Sequence, residues 1–428
     1  MTKTEQQVQR GCGIDIDSRI LWATSFVTTR RGRVTWETES FDNTVEGIRS
    51  LSQWLRKNKV SHVAFESTGI YGDVLYSMLE DEFRAIMANP RQIKQLRGRK
   101  TDINDSEHIA RLLQMGAIRP SFIPPRDVRE LRDLSRQYLN LTEDRVRAKN
   151  RVTKTLRQAG ITLDTCMTDI FGVSGRAIIE ALIAGEDPEE AAKKAKGKLR
   201  PKIPLIVDAV RFPLSEHYRV LLARYWRSLE FTEAELASIE VEIEQKAKPF
   251  HEEIERLCTM VGVGRKTARA VISEIGMDMT AFDTGKHLCS WAKVCPGNNQ
   301  SGGKRRSGRN SKGNRFIRHY LGEAALAAIR KKGSMFRTLY LRRASRLGKK
   351  KAIVSIMNKM LRIMHTMLSL GVDYDDTYDE THHRSTQQAS ARSAMRQISN
   401  EDLVHELLKR GAKNVVWTWD ETTQASPT

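Results

Sequence analysis

An α/β domain followed by a mainly α-helical remainder is the fold class that the 428-residue sequence predicts. Three observations carry this prediction. Residues 11–87 place three β-rich runs first and then alternate helix with strand, the order of a mixed sheet. Two long, heavily charged stretches, 128–159 and 218–254, each hold an apolar stripe at helical spacing. Residues 257–276 read as helix, glycine turn and helix, and 352–370 repeats the helical spacing. Taken with roughly 150 residues per domain, these shifts divide the chain at 1–122, 123–254, 255–372 and 373–428.

Segment 11–17 (GCGIDID) alternates polar and apolar residues, and 21–28 and 33–39 continue as β-rich runs, so three consecutive antiparallel strands are expected. Val45, Ile48, Leu51, Trp54 and Leu55 give 45–57 a helical face. Residues 60–66 (VSHVAFE) form a short buried strand ending in a carboxylate, 72–82 a second helix and 83–87 another strand. In the long helices the stripes are Leu131, Leu134, Tyr138, Leu141 and Val152, then Leu222, Trp226, Leu229, Leu236, Ile239 and Ile243. Such a pair suggests an antiparallel coiled-coil arm or an oligomer contact. Between them, 161–213 reads as short helices around the Lys-rich connector AAKKAKGKLRPK. In 257–276 (LCTMVGVGRKTARAVISEIG), Gly262 and Gly264 permit a helix-hairpin-helix turn whose backbone N–H groups can hold a phosphate; a plain helical connection is the competing reading. Ile353, Ile356, Met360, Ile363, Met367 and Leu370 make 352–370 an amphipathic helix closing that domain. Beyond residue 373 the acidic patch DYDDTYDE and a Ser-, Gln- and Thr-rich stretch read as a linker, followed by one short helix and a loose end.

With 39% hydrophobic residues the chain can bury real cores, which argues against wholesale disorder. Its five cysteines, Cys12, Cys166, Cys258, Cys289 and Cys295, are scattered and never form C-x-x-C. That argues against a disulfide framework or a zinc ribbon and for a reducing cytoplasm. MTKTEQQVQR lacks an apolar signal region, and the most apolar late stretch, 352–372, is interrupted by Asn358, Lys359, Arg362 and His365, so neither secretion nor membrane spanning is expected. Charge distribution says more. The formal net charge is +20 at pH 7, and residues 304–351 alone hold seventeen Lys or Arg against one acid, Glu323. A phosphate backbone is the obvious counter-surface, in the nucleoid if the partner is DNA. An anionic membrane or a solvated face is the bland alternative, disfavoured by the Gly, Ser and aromatic residues interleaved in the run.

Four acids stand where phosphoryl chemistry would need them. Asp15 lies inside a strand, Glu66 at a strand end, and Asp102 and Asp105 at the start of a helix in TDINDSEHIARLL, spaced i, i+3 on one side. Converging carboxylates repel unless a cation sits between them, and Mg²⁺ or Mn²⁺ suits such hard oxygen ligands. Two such ions about 4 Å apart can activate an attacking oxygen and stabilise a leaving one. Taken singly, Asp102 or Asp105 reads as an ordinary N-cap. Asp17, two residues along the same strand face, competes with Asp15. The second candidate is Ser301, set beside glycines and among Lys304, Arg305, Arg306, Arg309, Lys312 and Arg315, where a phosphate would be held and its charge compensated. A serine needs a base, a metal or a positive field to become a nucleophile. Ser307 and Ser311 are rivals that composition does not separate, and a flexible basic loop whose serines only touch phosphate is the alternative.

Taken in order, the motifs GIDID, AFESTGIYGDVLY, KTDINDSEHIARLL, MVGVGRKTA and PGNNQSGGKRRSGRNSKGNRFIR resemble the DEDD transposases related to Piv-type DNA invertases, also described as bridge-RNA-guided recombinases. The resemblance covers roughly 11–158 and 255–370. It implies a RuvC-like, RNase H-type first domain, a coiled-coil linker and a C-terminal transposase domain. By motif position it makes Asp15, Glu66, Asp102 and Asp105 a metal-binding quartet and Ser301 the nucleophile. It further implies a homotetramer with composite active sites, and a structured RNA that pairs with donor and target DNA. The long, Lys-rich 161–213 and the tail after 373 depart from the pattern and bear on oligomer geometry.

A recombinase of this kind conserves the phosphodiester energy in a serine–DNA link and needs no ATP, in keeping with the absence of G-x-x-x-x-G-K-[ST] from the sequence. The two alternatives are a metal-dependent Holliday-junction or structure-specific nuclease that activates water, and a non-catalytic nucleic-acid-binding protein whose acids serve as caps and ion-pair partners.

Overall fold

The computed structural model describes residues 8–29, 31–66, 69–88, 102–118, 120–296, 299–301, 304–307 and 313–375, with backbone alone at 102–104, 299–301 and 304–307. The chain divides into two compact units, Met1–Ile123 and Pro124–Thr428.

In the first unit the expected strands lead: β1 (Arg10–Ile16), β2 (Ile20–Thr28) and β3 (Val34–Asp42), followed by α1 (Val45–Lys57), β4 (His62–Glu66), α2 (Ile70–Leu79), β5 (Arg84–Ala88) and α3 (Asp102–Gln114). They build a five-stranded mixed sheet in the order β3-β2-β1-β4-β5. The pairs β1–β2 and β2–β3 are antiparallel, and β1–β4 and β4–β5 parallel. Thr44 caps α1 by accepting from the Gly47 N–H at 3.1 Å.

The period-two alternation of β1 sorts its two faces. Cys12, Ile14 and Ile16 enter one core with Ile48, Leu51 and Leu55 of α1 and Leu75 and Leu79 of α2. The opposite face belongs to α3, where Ile109, Ala110 and Leu113 pack with Phe26, Ala64 and Ile86. Gly13 is what lets α3 come so close. A Cβ built there would lie 2.3 Å from the Ala110 nitrogen and 2.5 Å from the Ser106 carbonyl oxygen. A 2.7 Å hydrogen bond between the Thr24 and Ser106 hydroxyls pins the same helix to β2.

The second unit is dominated by α4 (Arg126–Gln158), 33 residues long. Short helices α5 (Leu163–Cys166), α6 (Val173–Ala184), α7 (Pro188–Lys193) and α8 (Ile203–Ala209) lead to α9 (Glu216–Ala247), 32 residues long. The two long helices run antiparallel: Glu130 near the start of α4 pairs with Lys246 near the end of α9, while Val152 and Leu156 share a core with Leu222 and Trp226. Residues 161–213 fold as a cap on that end, with Ile178, Leu182 and Ile206 in the same core. The buried seam of α4 is Val128, Leu131, Ser135, Leu139, Ala148, Val152 and Leu156. The expected Leu134, Tyr138 and Leu141 are only half-buried, and Ser135, Leu139 and Ala148 are buried instead.

A single helix over 218–254 does not form. It stops at Ala247, since Pro249 lacks an N–H and falls in a 3₁₀ turn, Lys248–Phe250, before α10 (His251–Cys258) begins. There follow α11 (Arg265–Ile275), α12 (Gly285–Trp291), a hairpin of β6 (Asn299–Ser301) and β7 (Lys304–Ser307), α13 (Arg315–Ala328), α14 (Met335–Leu347) and α15 (Lys349–Leu370). The methionine stripe of α15 is core, as expected, with Met360, Met364 and Met367 buried. Tyr374, the second residue of the acidic patch, packs on this body: its ring stacks on Phe336 at 5.9 Å and its N–H donates to the Thr259 hydroxyl at 2.9 Å. The helix expected further along the tail lies outside the described residues.

The five cysteines are free, and burial pushes the Cys289 thiol up to about 12. No helix among the described residues is long and apolar enough to cross a membrane.

Gly13→Ala forces its new methyl against the backbone of α3, and overpacking of this kind is expected to cost about 1–3 kcal/mol. A fall in the urea midpoint at unchanged slope reads it; an unchanged midpoint would show that α3 is not seated through Gly13.

Candidate active site

In the first unit three features bring the carboxylates toward one edge. The parallel register of β1 and β4 ends at Ile14 opposite Phe65, so the next residues, Asp15 and Glu66, stand side by side, both half-buried. Asp15 shares its strand face with Gly11 and Gly13. Gly11 meets Leu113, and Gly13 meets Ala110 and Ser106, so moving along β1 toward Asp15 leads down α3 toward its first turn. Asp102 opens that turn and half-buried Asp105 follows three residues later. Among the described residues no three His, Cys, Asp or Glu side chains are close enough to hold a metal, and the Asp102 side chain is not one of those described.

Asp17, the sequence rival of Asp15, has other work. It turns the chain from β1 into β2, accepting from the Arg19 N–H at 3.1 Å and the Ser18 hydroxyl at 3.3 Å. The backbone N–H groups of Arg19 and Ser18 hold its carboxyl below the usual range.

In the second unit α10 and α11 flank the glycine turn. Gly262 has φ +85°, and a Cβ on it would lie 2.5 Å from the Ala324 carbonyl of α13, so its first duty is close packing. Gly264 is the N-cap of α11 and meets nothing within 4 Å. Arg265, just inside the helix, is tied to Glu244 and Glu255.

The basic segment, for which a flexible loop was the alternative reading, contains a two-stranded antiparallel hairpin. Ser301 is the last residue of β6 and pairs with Lys304, the first of β7; Gln300 pairs with Arg305 and Asn299 with Ser307. Arg309, Ser311 and Lys312 lie outside the described residues. Arg315 opens α13 exposed, with its guanidinium 4.8 Å from the Phe316 ring and hydrogen-bonded to Asn140 of α4. Both ends of the segment are pinned. A Cβ on Gly313 would come 2.5 Å from Cβ of Lys293, and the Val294 carbonyl accepts from Asn358 of α15 at 3.3 Å. Farther on, burial and then the neighbouring Arg342 and Arg346 hold the Arg343 guanidinium below its ordinary value.

Comparison with known families gives two matches. Residues 12–161 match the IS110-type DEDD family described as Transposase, and residues 254–341 match the family described as Transposase IS116/IS110/IS902 family, together more than half of the chain. The chain belongs to the IS116/IS110/IS902 family of transposases. It is an enzyme that acts on DNA as a transposase. No curated protein matches this transposase.

The acidic quartet falls in the first matched stretch, and the glycine turn, Ser301 and Arg315 in the second. Sequence reasoning on the transposase missed Asn358, which clamps the start of the serine segment, and Glu274 and Asn314, which meet at its end. Only an N-cap signal, Asn314 just before the apolar run of α13, was there to be read for the last pair.

The two turn glycines are expected to separate on substitution. Gly262→Ala meets both a left-handed backbone and the Ala324 carbonyl, and should cost at least about 1 kcal/mol. Gly264→Ala enters open space at φ −98° and loses only the preference of an N-cap for Gly over Ala, so it should lower the unfolding midpoint less. Equal midpoints for the two variants would remove the packing role given to Gly262.

Proposed function

We propose that the chain is a DNA recombinase in which Ser301 attacks a scissile phosphodiester. The Oγ–phosphorus bond forms, the bond from phosphorus to one deoxyribose oxygen breaks, the serine proton is released and the leaving oxygen takes up a proton. The linkage energy stays in the serine–DNA bond, and the reverse step joins a new strand. The observation that carries this reading is the register of Ser301 with Lys304, at the head of the most basic stretch of the chain. Positive charge there favours the alkoxide and the phosphate together.

Asp15, Glu66, Asp102 and Asp105 are the proposed holders of Mg²⁺ or Mn²⁺. Their support is the adjacency of Asp15 and Glu66 at neighbouring strand ends and the course of α3 toward them. The donors are all hard oxygens, the type these ions select. When bound, such an ion stabilises charge developing on phosphoryl oxygens. Asp15→Asn and Asp105→Asn should each lose the rise in melting temperature that Mn²⁺ gives the wild type, a readout independent of activity; retained stabilisation would move the metal elsewhere.

In this reading 123–254 is an arm, 255–372 carries the serine and the nucleic-acid surface, and the acidic remainder is a tail. A structured guide RNA pairing with donor and target DNA, and a tetrameric assembly, are parts of the proposal carried over from the family resemblance.

The deciding experiment is cleavage of labelled end-junction DNA with Mg²⁺ and RNA from the element's flanks, run on a denaturing protein gel. A labelled protein band in the wild type should vanish in Ser301→Ala while DNA binding persists. Cleaved DNA without that band would instead make the chain a nuclease using activated water. Neutralising Arg305, Arg306 and Arg309 together should lower the salt slope of DNA binding by up to about three; an unchanged slope would place the phosphate contacts on other cations.

A further inference from the structure

We propose that Glu274 is a positioning residue for Ser301, fixing through Asn314 the point at which the serine-bearing segment returns to the helical body. The inference rests on the reading of Ser301 as the nucleophile.

Glu274 sits on the last turn of α11 and is 1% exposed. A carboxylate withdrawn from water is costly unless donors surround it. Arg136 of α4 supplies two, from Nε to Oε1 at 2.7 Å and from Nη2 to Oε2 at 2.9 Å, in the paired fork geometry. One turn earlier, Arg132 donates to the backbone carbonyls of Ser273 at 3.0 Å and Glu274 at 2.7 Å, closing the end of α11. The remaining donor to Oε2 is the side-chain amide of Asn314.

Asn314 has a second task that settles its orientation. It is the N-cap of α13, and its Oδ1 accepts from the Phe316 N–H at 2.9 Å and the Ile317 N–H at 3.2 Å. With the oxygen so used, the NH₂ group is the end that meets Glu274. The Phe316 ring lies within 4.9 Å of the Arg136 guanidinium and 4.8 Å of that of Arg315, adding a lateral lock. One buried carboxylate therefore ties the arm, the helix after the glycine turn and the residue that ends the serine segment.

The segment begins beside that point as well, because Gly313 presses on Lys293. Lys293, before the segment, and Gly313, at its end, thus lie together, and Glu274 sets where Asn314 ends it. Misplacing a reacting group by about 1 Å can cost roughly a hundredfold in rate.

The test must separate positioning from plain stability. Asn314→Asp keeps a good N-cap but turns an acceptor toward Glu274. Adding Glu274→Gln restores a donor across the pair while leaving an oxygen for Arg136. At saturating DNA, Asn314→Asp is expected to slow formation of the serine–DNA adduct roughly tenfold to a hundredfold, with DNA affinity changed less than about threefold. The double variant should recover most of the rate, a coupling only contacting residues show. Asn314→Ser, which caps and lacks the donor without adding charge, serves if Asn314→Asp does not fold, and should show the same split between rate and affinity. An adduct rate equal to wild type in the folded Asn314 variant, or a loss that the double variant does not recover, overturns the inference. A wild type that cleaves without any adduct refutes the serine reading instead, and the inference falls with it.

Discussion

The carboxylate of Glu274 joins three pieces of chain far apart in sequence, and the second unit is arranged to satisfy it. Burial pushes the Arg132 guanidinium down to about 10, and the attraction of Glu274 works against that shift. Replacing a buried ion pair by apolar side chains of similar volume is often neutral or stabilising, so net stability alone is a weak reason for this one. Direction is a better reason. A cluster of leucines would hold α4, α11 and α13 together, yet it would accept several rotations of each, whereas a forked guanidinium and an oriented amide accept one. A second buried cation, Arg269, follows the same logic a turn and a half earlier on α11, paired with Glu240 and Glu244 of α9.

The first unit reaches its precision by removing atoms. Where the second unit spends charged groups to fix its helices, α3 is seated by the missing side chain of Gly13 and by a hydroxyl pair, Thr24 with Ser106. This brings helix backbone onto strand backbone two residues before Asp15. The carboxylates thus inherit their placement from main-chain contacts, which have no rotamers to lose.

Most of this first unit was legible in the sequence, because its strands and helices are local patterns. The alternation around Ile14, the apolar run before Glu66 and the stripe of Ile48, Leu51 and Leu55 all give elements close to those observed. The carboxylate assignment came from motif order, and the register of β1 with β4 explains why those motifs sit together. Elsewhere the reading failed for identifiable reasons. The charged stretch was carried on to 254 as one helix, past the break that Pro249 makes. Ser135 is too polar and Ala148 too small to announce a seam. The hairpin of β6 and β7 is written in Asn, Gln, Ser, Lys and Arg, residues without marked strand propensity. Glu274 drew no notice because its partners lie at positions 132, 136 and 314, and no local pattern reports a contact of that range.

The arm leaves the body at the start of α4 and comes back at the end of α9, so it is a closed detour in the path of the chain. Everything from 161 to 213 sits at its far end, sharing a core with Val152, Leu156 and Leu222. Such a detour can be lengthened or shortened in matched steps, about 5.4 Å for each added turn on both helices, without moving where α9 hands over to α10. Reach and tip chemistry are in this sense free parameters of the fold, adjustable by insertion while the helices around the serine segment keep their anchorage.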